Sequence, residues 1–141
     1  MAIKVRREHL DQIRRHGEQT YPYECCGFLL GTREGETNVV MEAYPAENER
    51  KESRETRYLI TPDQSKRADA YARERGIGVI GYYHSHPDHP AAPSGYDLDH
   101  SCWPGESYII VAIEKGKAAA LNSFTKPDYT SFEPEEITID E

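Results

Sequence analysis

The chain has no apolar run approaching the roughly 18 residues that a membrane-crossing helix needs. Charged residues make up 30% of it against 37% hydrophobic. A membrane protein is therefore not expected. Cysteine is scarce: Cys25, Cys26 and Cys102 are the only three. An odd number with two adjacent argues against a disulfide framework and suits a reducing compartment. The opening MAIKVRREHLDQIRR carries basic residues with no apolar segment behind them, so no secretory signal is expected and the protein is read as cytoplasmic. Basic charge is also in deficit. Seventeen Lys and Arg against 25 Asp and Glu give a net charge of -8, which leaves no electrostatic footprint for nucleic acid. Internal repeats and low-complexity segments are absent too.

What is present is enough for one core: 141 residues is a common size for one domain, and a single domain over 1–141 is expected. Helix-like and strand-like patterns alternate, which points to a mixed α/β domain. The spacing predicts a surface helix over Arg6 to Thr20, with Leu10 and Ile13 on one face, broken by Tyr21-Pro22-Tyr23. Cys26 to Gly31 reads as a buried strand with Glu24 at its entrance. A turn around Gly35 leads to a hairpin partner over Asn38 to Tyr44, followed by a polar loop over Pro45 to Thr56 and a short strand over Tyr58 to Ile60. Thr61-Pro62-Asp63-Gln64 is a helix start: Thr as N-cap, Pro at the first helical position and Gln where a capping box wants it. That helix should stop at Gly76. Ile77 to Tyr82 then forms a strand running into Tyr83-His84-Ser85-His86-Pro87. A short helix is expected from Ser94, and Tyr108 to Ile113 pairs with Ala118 to Phe124 through a turn at Lys115-Gly116-Lys117.

The chemistry concentrates after the His strand. Alternate side chains of a strand share a face, so His84 and His86 point one way and Ser85 the other. Two imidazoles can then reach one ion, and Pro87 ends the strand so that both sit at its mouth. A catalytic zinc takes three protein ligands and keeps a position for water. Asp97 supplies the third, because Ser94-Gly95-Tyr96-Asp97 spaces an N-cap and a third helical residue. One Zn2+ per chain on His84, His86 and Asp97 is the expectation, with Glu24 moving protons and Ser94 donating to a developing oxyanion. Capping alone also satisfies Ser94 and Asp97, and the two roles are compatible. His89, His100, Asp88 and Asp99 are read as solvated charges, with Asp88 or Asp99 open to orienting a ligand imidazole. Trp103 is read as a packing residue. Cys25 and Cys26 point to opposite faces and are read as structural.

The run His84-Ser85-His86, seven residues, Ser94, two residues, Asp97 resembles the H-x-H-x7-S-x2-D signature of the JAMM (MPN+) metalloproteases. Glu24-Cys25-Cys26-Gly27-Phe28-Leu29-Leu30-Gly31 resembles that family's E-x-C-G-L-L-G segment. The resemblance implies a JAB/MPN fold of the mixed, cytidine-deaminase-like α/β type, a central mixed sheet flanked by helices. It also implies the same zinc, base and oxyanion assignments. Its substrates are implied to be amide or isopeptide bonds after the C-terminal Gly-Gly of a ubiquitin-like or sulfur-carrier protein. The short chain resembles the free-standing prokaryotic members.

Three other functions compete. A zinc nucleoside deaminase needs a P-C-x-x-C element, which the sequence lacks. A metal phosphoesterase opening on H-x-H needs more His and Asp ligands. A metal-stabilised module that captures a protein tail without cutting it would have no use for Glu24.

Overall fold

The computed structural model describes residues 2–55, 57–94, 97, 105–127 and 131–140. Along the chain come β1 (Ala2–Arg6), α1 (Arg7–Thr20), β2 (Cys26–Glu34), β3 (Thr37–Ala46), α2 (Pro62–Glu74), β4 (Gly78–Pro87), β5 (Ser107–Glu114), β6 (Lys117–Thr125) and β7 (Glu133–Asp140). The strands form one mixed sheet in the order β1-β3-β2-β4-β5-β6-β7, closed because β1 also pairs with β7. The pairs β1–β3, β4–β5 and β1–β7 are parallel, and the others antiparallel.

The expected mixed sheet flanked by helices is borne out, and closure is what the pattern did not reveal. Both closing strands were overlooked. β1 is five residues with only Ile3 and Val5 buried, and β7 is heavily acidic with a proline at its second position, which reads against a strand.

Each helix covers one face of the sheet. Leu10 and Ile13 of α1 pack with Leu29, Tyr83, Ile109, Val111 and Ile113. Ala68 and Ala72 of α2 pack with Phe28 and Leu30 of β2. Small residues let these layers approach: a Cβ on Gly17 would lie 2.7 Å from Ile113 Cδ1. Within the sheet, a Cβ on Gly81 would lie 2.2 Å from the carbonyl oxygen of Ser107. Among the described residues no helix is long and apolar enough to cross a membrane.

Two local expectations need correction. Tyr58 to Ile60 is not a strand; all four neighbours of β2 and β4 are already in place, so no ladder is open to it there. The capping box at α2 is half formed. Thr61 Oγ1 accepts from the Gln64 N–H at 3.3 Å, but the Gln64 side chain turns to the backbone of Glu47, accepting from its N–H at 2.8 Å and donating to its carbonyl at 3.0 Å. The helix from Ser94 falls largely outside the described residues, as do Gly95, Tyr96, Asp99, His100, Cys102 and Trp103; Asp97 itself is helical.

Candidate metal centre

The ladder between β2 and β4 sets the register of the site. Cys26 pairs with His84, and one step further the Ser85 N–H donates to the Cys25 carbonyl at 3.2 Å. Ser85 points to the α1 face, where its Oγ accepts from the Cys25 N–H at 2.8 Å. His84 and His86 share the opposite face, with their Nε2 atoms 3.1 Å apart.

Asp97 lies across from both rings. Its Oδ1 is 3.2 Å from His84 Nε2 and its Oδ2 is 3.2 Å from His86 Nε2. The same Oδ2 accepts from the Ser94 N–H at 2.8 Å, while Ser94 Oγ accepts from the Asp97 N–H at 3.0 Å. This is a reciprocal capping box with aspartate in the third helical position. Capping and presentation of the carboxylate are thus one arrangement, and the Ser94 hydroxyl still has its hydrogen to donate. All three residues of the cluster are buried. Burial by itself would raise the Asp97 carboxyl, but the His84 and His86 imidazoles facing it hold it well below the usual carboxylate range. For His84 burial outweighs Asp97 and lowers the imidazole, which favours the neutral form a metal requires.

Tautomer and orientation are fixed for His86 by its Nδ1, 2.8 Å from the Pro90 carbonyl, which leaves Nε2 free to ligate. His84 is held differently: the ring of Tyr58 stacks on it at 4.7 Å between centroids and 28° between planes. The donor atoms of His84, His86 and Asp97 lie within 4.8 Å of one another, so the group can hold a metal ion. Two imidazoles and a carboxylate suit zinc in an open catalytic site.

Glu24 is 3% exposed, and its Oε1 has no hydrogen-bond partner. Burial, with the Asp97 carboxylate adding to it, pushes the Glu24 carboxyl up to about 9. A buried polar atom without a partner costs about 1–3 kcal/mol, and it marks a place where a ligand can complete the structure. A pocket of about 400 Å³ takes in Glu24, His86 and Ser94. All five expected site residues therefore gather on one side of the sheet.

Several neighbours were not foreseen. Asp88 orients neither His84 nor His86; it accepts from the Tyr21 hydroxyl at 2.5 Å and the Lys115 N–H at 2.8 Å. A backbone carbonyl does that work instead, and sequence carries no mark of it. Exposed His89 lines the same pocket as Glu24. Tyr58 could have been flagged only as a lone aromatic beside a charged stretch. Cys25 and Cys26 are buried free thiols, and burial pushes Cys25 up to about 12 and raises Cys26 as well. Neither is a reactive thiolate.

A family described as prokaryotic homologs of the JAB domain matches residues 6–125. The desampylase of Haloferax volcanii is 31% identical over 110 residues, covering 78% of this chain and 77% of that protein. A Thermus thermophilus protein named a probable TtuB-protein conjugate cleaving protease is 31% identical over 122 residues, 86% of this chain and 77% of that protein. Among solved structures, one from Salinibacter ruber is 45% identical with a TM-score of 0.77, covering 98% of this chain and 92% of that one. A JAB1/MPN domain protein from Archaeoglobus fulgidus, 21% identical with a TM-score of 0.63 over 99% of this chain and 97% of that one, has the same fold.

Proposed function

Since the chain belongs to the prokaryotic JAB domain family, a family of JAMM-type hydrolases, we propose that it is a zinc-dependent peptidase or isopeptidase. Its substrate is the amide bond after the C-terminal Gly-Gly of a ubiquitin-like or sulfur-carrier protein. One observation carries the reading: a buried carboxylate with an unpartnered oxygen, Glu24, shares a pocket with His86 of the metal-binding cluster and with Ser94. The names of the Haloferax and Thermus relatives support a protein conjugate as the substrate class.

His84, His86 and Asp97 would hold the ion. Zinc bound there supplies a Lewis acid that polarises a carbonyl and acidifies water. Around it the chain's own groups have separate tasks. Glu24, shielded from solvent, takes a proton from the attacking water as its carboxylate and delivers it to the departing amine. Ser94 Oγ, already fixed as acceptor of the Asp97 N–H, donates its hydrogen to the carbonyl oxygen as charge develops on it. The Asp97 carboxylate, satisfied on one side by the Ser94 N–H, stays ionised and pre-aimed. Burial keeps competing water from these bonds and strengthens each of them.

The deciding experiment is a panel of small β-grasp proteins, each extended beyond Gly-Gly by a peptide or an isopeptide-linked lysine. Zinc-loaded protein should release the extension from at least one member. If intact members are retained on the protein with the extension uncut, the capture module is the better reading.

A further inference from the structure

Among the described residues between β3 and α2 there is no regular secondary structure, yet one side chain there is fully engaged. Asn48 Nδ2 donates to the Glu24 carbonyl at 3.1 Å and to the Arg57 carbonyl at 3.0 Å. Its Oδ1 accepts from the N–H of Arg50 at 3.0 Å and of Leu59 at 3.1 Å. A primary amide has two donor hydrogens and two lone pairs, so four backbone groups saturate it. Glu24 precedes the β2 ladder, which begins at Cys26. Its N–H donates instead to the Arg54 carbonyl at 2.7 Å. Both backbone polar groups of Glu24 are therefore held by this one segment.

The other end of the segment reaches a metal-cluster residue. Tyr58, stacked on His84, lies between Arg57 and Leu59, the two residues whose backbone Asn48 grips. A second backbone bond, from the Glu49 N–H to the Leu59 carbonyl at 3.1 Å, closes the same loop. Gln64 of α2 anchors its start at Glu47. Beside it a pocket of about 440 Å³ is lined by Glu24, Asn48 and Arg54.

We propose that Asn48 is a positioning residue: by tying residues 57–59 to Glu24 it closes a strap that holds the Glu24 carboxylate and the Tyr58 ring against the metal centre. Its meaning for turnover rests on the peptidase reading above, whereas the strap itself rests on geometry alone. A bridging amide acts on the base without touching substrate, so its loss displaces Glu24 rather than removing a substrate contact. A misplacement of about 1 Å can cost on the order of 10²-fold in rate. The signature is therefore a fall in kcat with KM spared.

Asn48→Ala and Asn48→Asp, in the full zinc-loaded chain, test this with a β-grasp protein extended past Gly-Gly by a fluorescent peptide as probe. Asn48→Asp keeps an acceptor oxygen but turns an oxygen towards two carbonyls, so it should do no better than alanine. Both should lower kcat by roughly 10–100-fold with KM within about two-fold. Zinc content should be unchanged, and the Glu24 amide should exchange at least ~10-fold faster while β2 and β4 amides stay protected. Unchanged kcat, or protection lost equally across β2 and β4, overturns the proposal. Should these variants fail to fold, Tyr58→Leu loosens the strap from its other end and must show the same kcat loss; full kcat there also overturns it. If the wild-type chain cleaves no probe, the peptidase reading falls and exchange alone decides the strap: faster Glu24 exchange in Asn48→Ala supports it, and retained protection refutes it.

Discussion

Cys26 and His84 are register partners on adjacent antiparallel strands, and this pairing places Glu24 at the metal cluster. Two residues before Cys26 in the chain stands Glu24, and two after His84 stands His86. Antiparallel pairing brings those two positions to the same level, and a two-residue step keeps both on one face. A slip of one residue would turn the Glu24 carboxyl to the α1 face and out of the pocket it shares with His86 and Ser94.

Metal content tests the ligand assignment. Purified protein should carry about one zinc per chain, and His84→Ala or Asp97→Ala should lose it, as measured by elemental analysis after dialysis. Undiminished zinc in either variant means that the ion sits elsewhere.

Glu24→Gln separates binding from chemistry. The amide keeps the size of the carboxyl but cannot take a proton, so zinc should stay while turnover falls by about 10²–10⁴-fold. Equal turnover would remove Glu24 from the mechanism.

Chelator-treated protein should report the buried carboxyl in its pH dependence. The folded state holds the Glu24 proton up to about 9, against roughly 4.3 in an unfolded chain. Its contribution to stability is thus complete below the unfolded value and lost as pH climbs through that window. Thermal melts at pH 5 and pH 8.5 should show metal-free wild type losing more stability than metal-free Glu24→Gln, by up to about 4–5 kcal/mol. Parallel losses in the two proteins would mean that Glu24 is solvated. Glu106 and Glu135 are also raised by burial, and the comparison of variants cancels their share.

Ser94→Ala should act twice. Loss of the cap to the Asp97 N–H should cost about 1 kcal/mol in denaturant melts of metal-free protein. Loss of the oxyanion donor should lower kcat by about 10²–10³-fold. A variant that loses stability and keeps its rate would assign Ser94 to capping alone.

Two glycines of β4 form a matched pair for packing. Alanine at Gly81 would put its Cβ 2.2 Å from the Ser107 carbonyl oxygen, whereas at Gly78 nothing lies within 4 Å. Gly81→Ala should cost more than about 3 kcal/mol, because a parallel strand must move, and Gly78→Ala should stay within about 1 kcal/mol of wild type. Similar melting temperatures would contradict the β4–β5 register.

The amino-acid order by itself determined the parts that local rules govern. Period-two alternation put His84 and His86 on one face, the Ser94-x-x-Asp97 spacing presented a carboxylate from a helix start, and Thr61-Pro62 opened α2. These depend on neighbours within a few residues, where backbone geometry leaves little choice. Only the tertiary structure decided what depends on distant partners. Closure through β1 and β7 needs two weak strands that pair only with each other and with the remaining edges. The Pro90 carbonyl that orients His86 and the Asn48 amide that grips Glu24 come from stretches that read as loops, and the Tyr58 ring on His84 from one that reads as a strand. A polar side chain looks the same in sequence whether water or a buried backbone satisfies it, and the folded chain alone settles which.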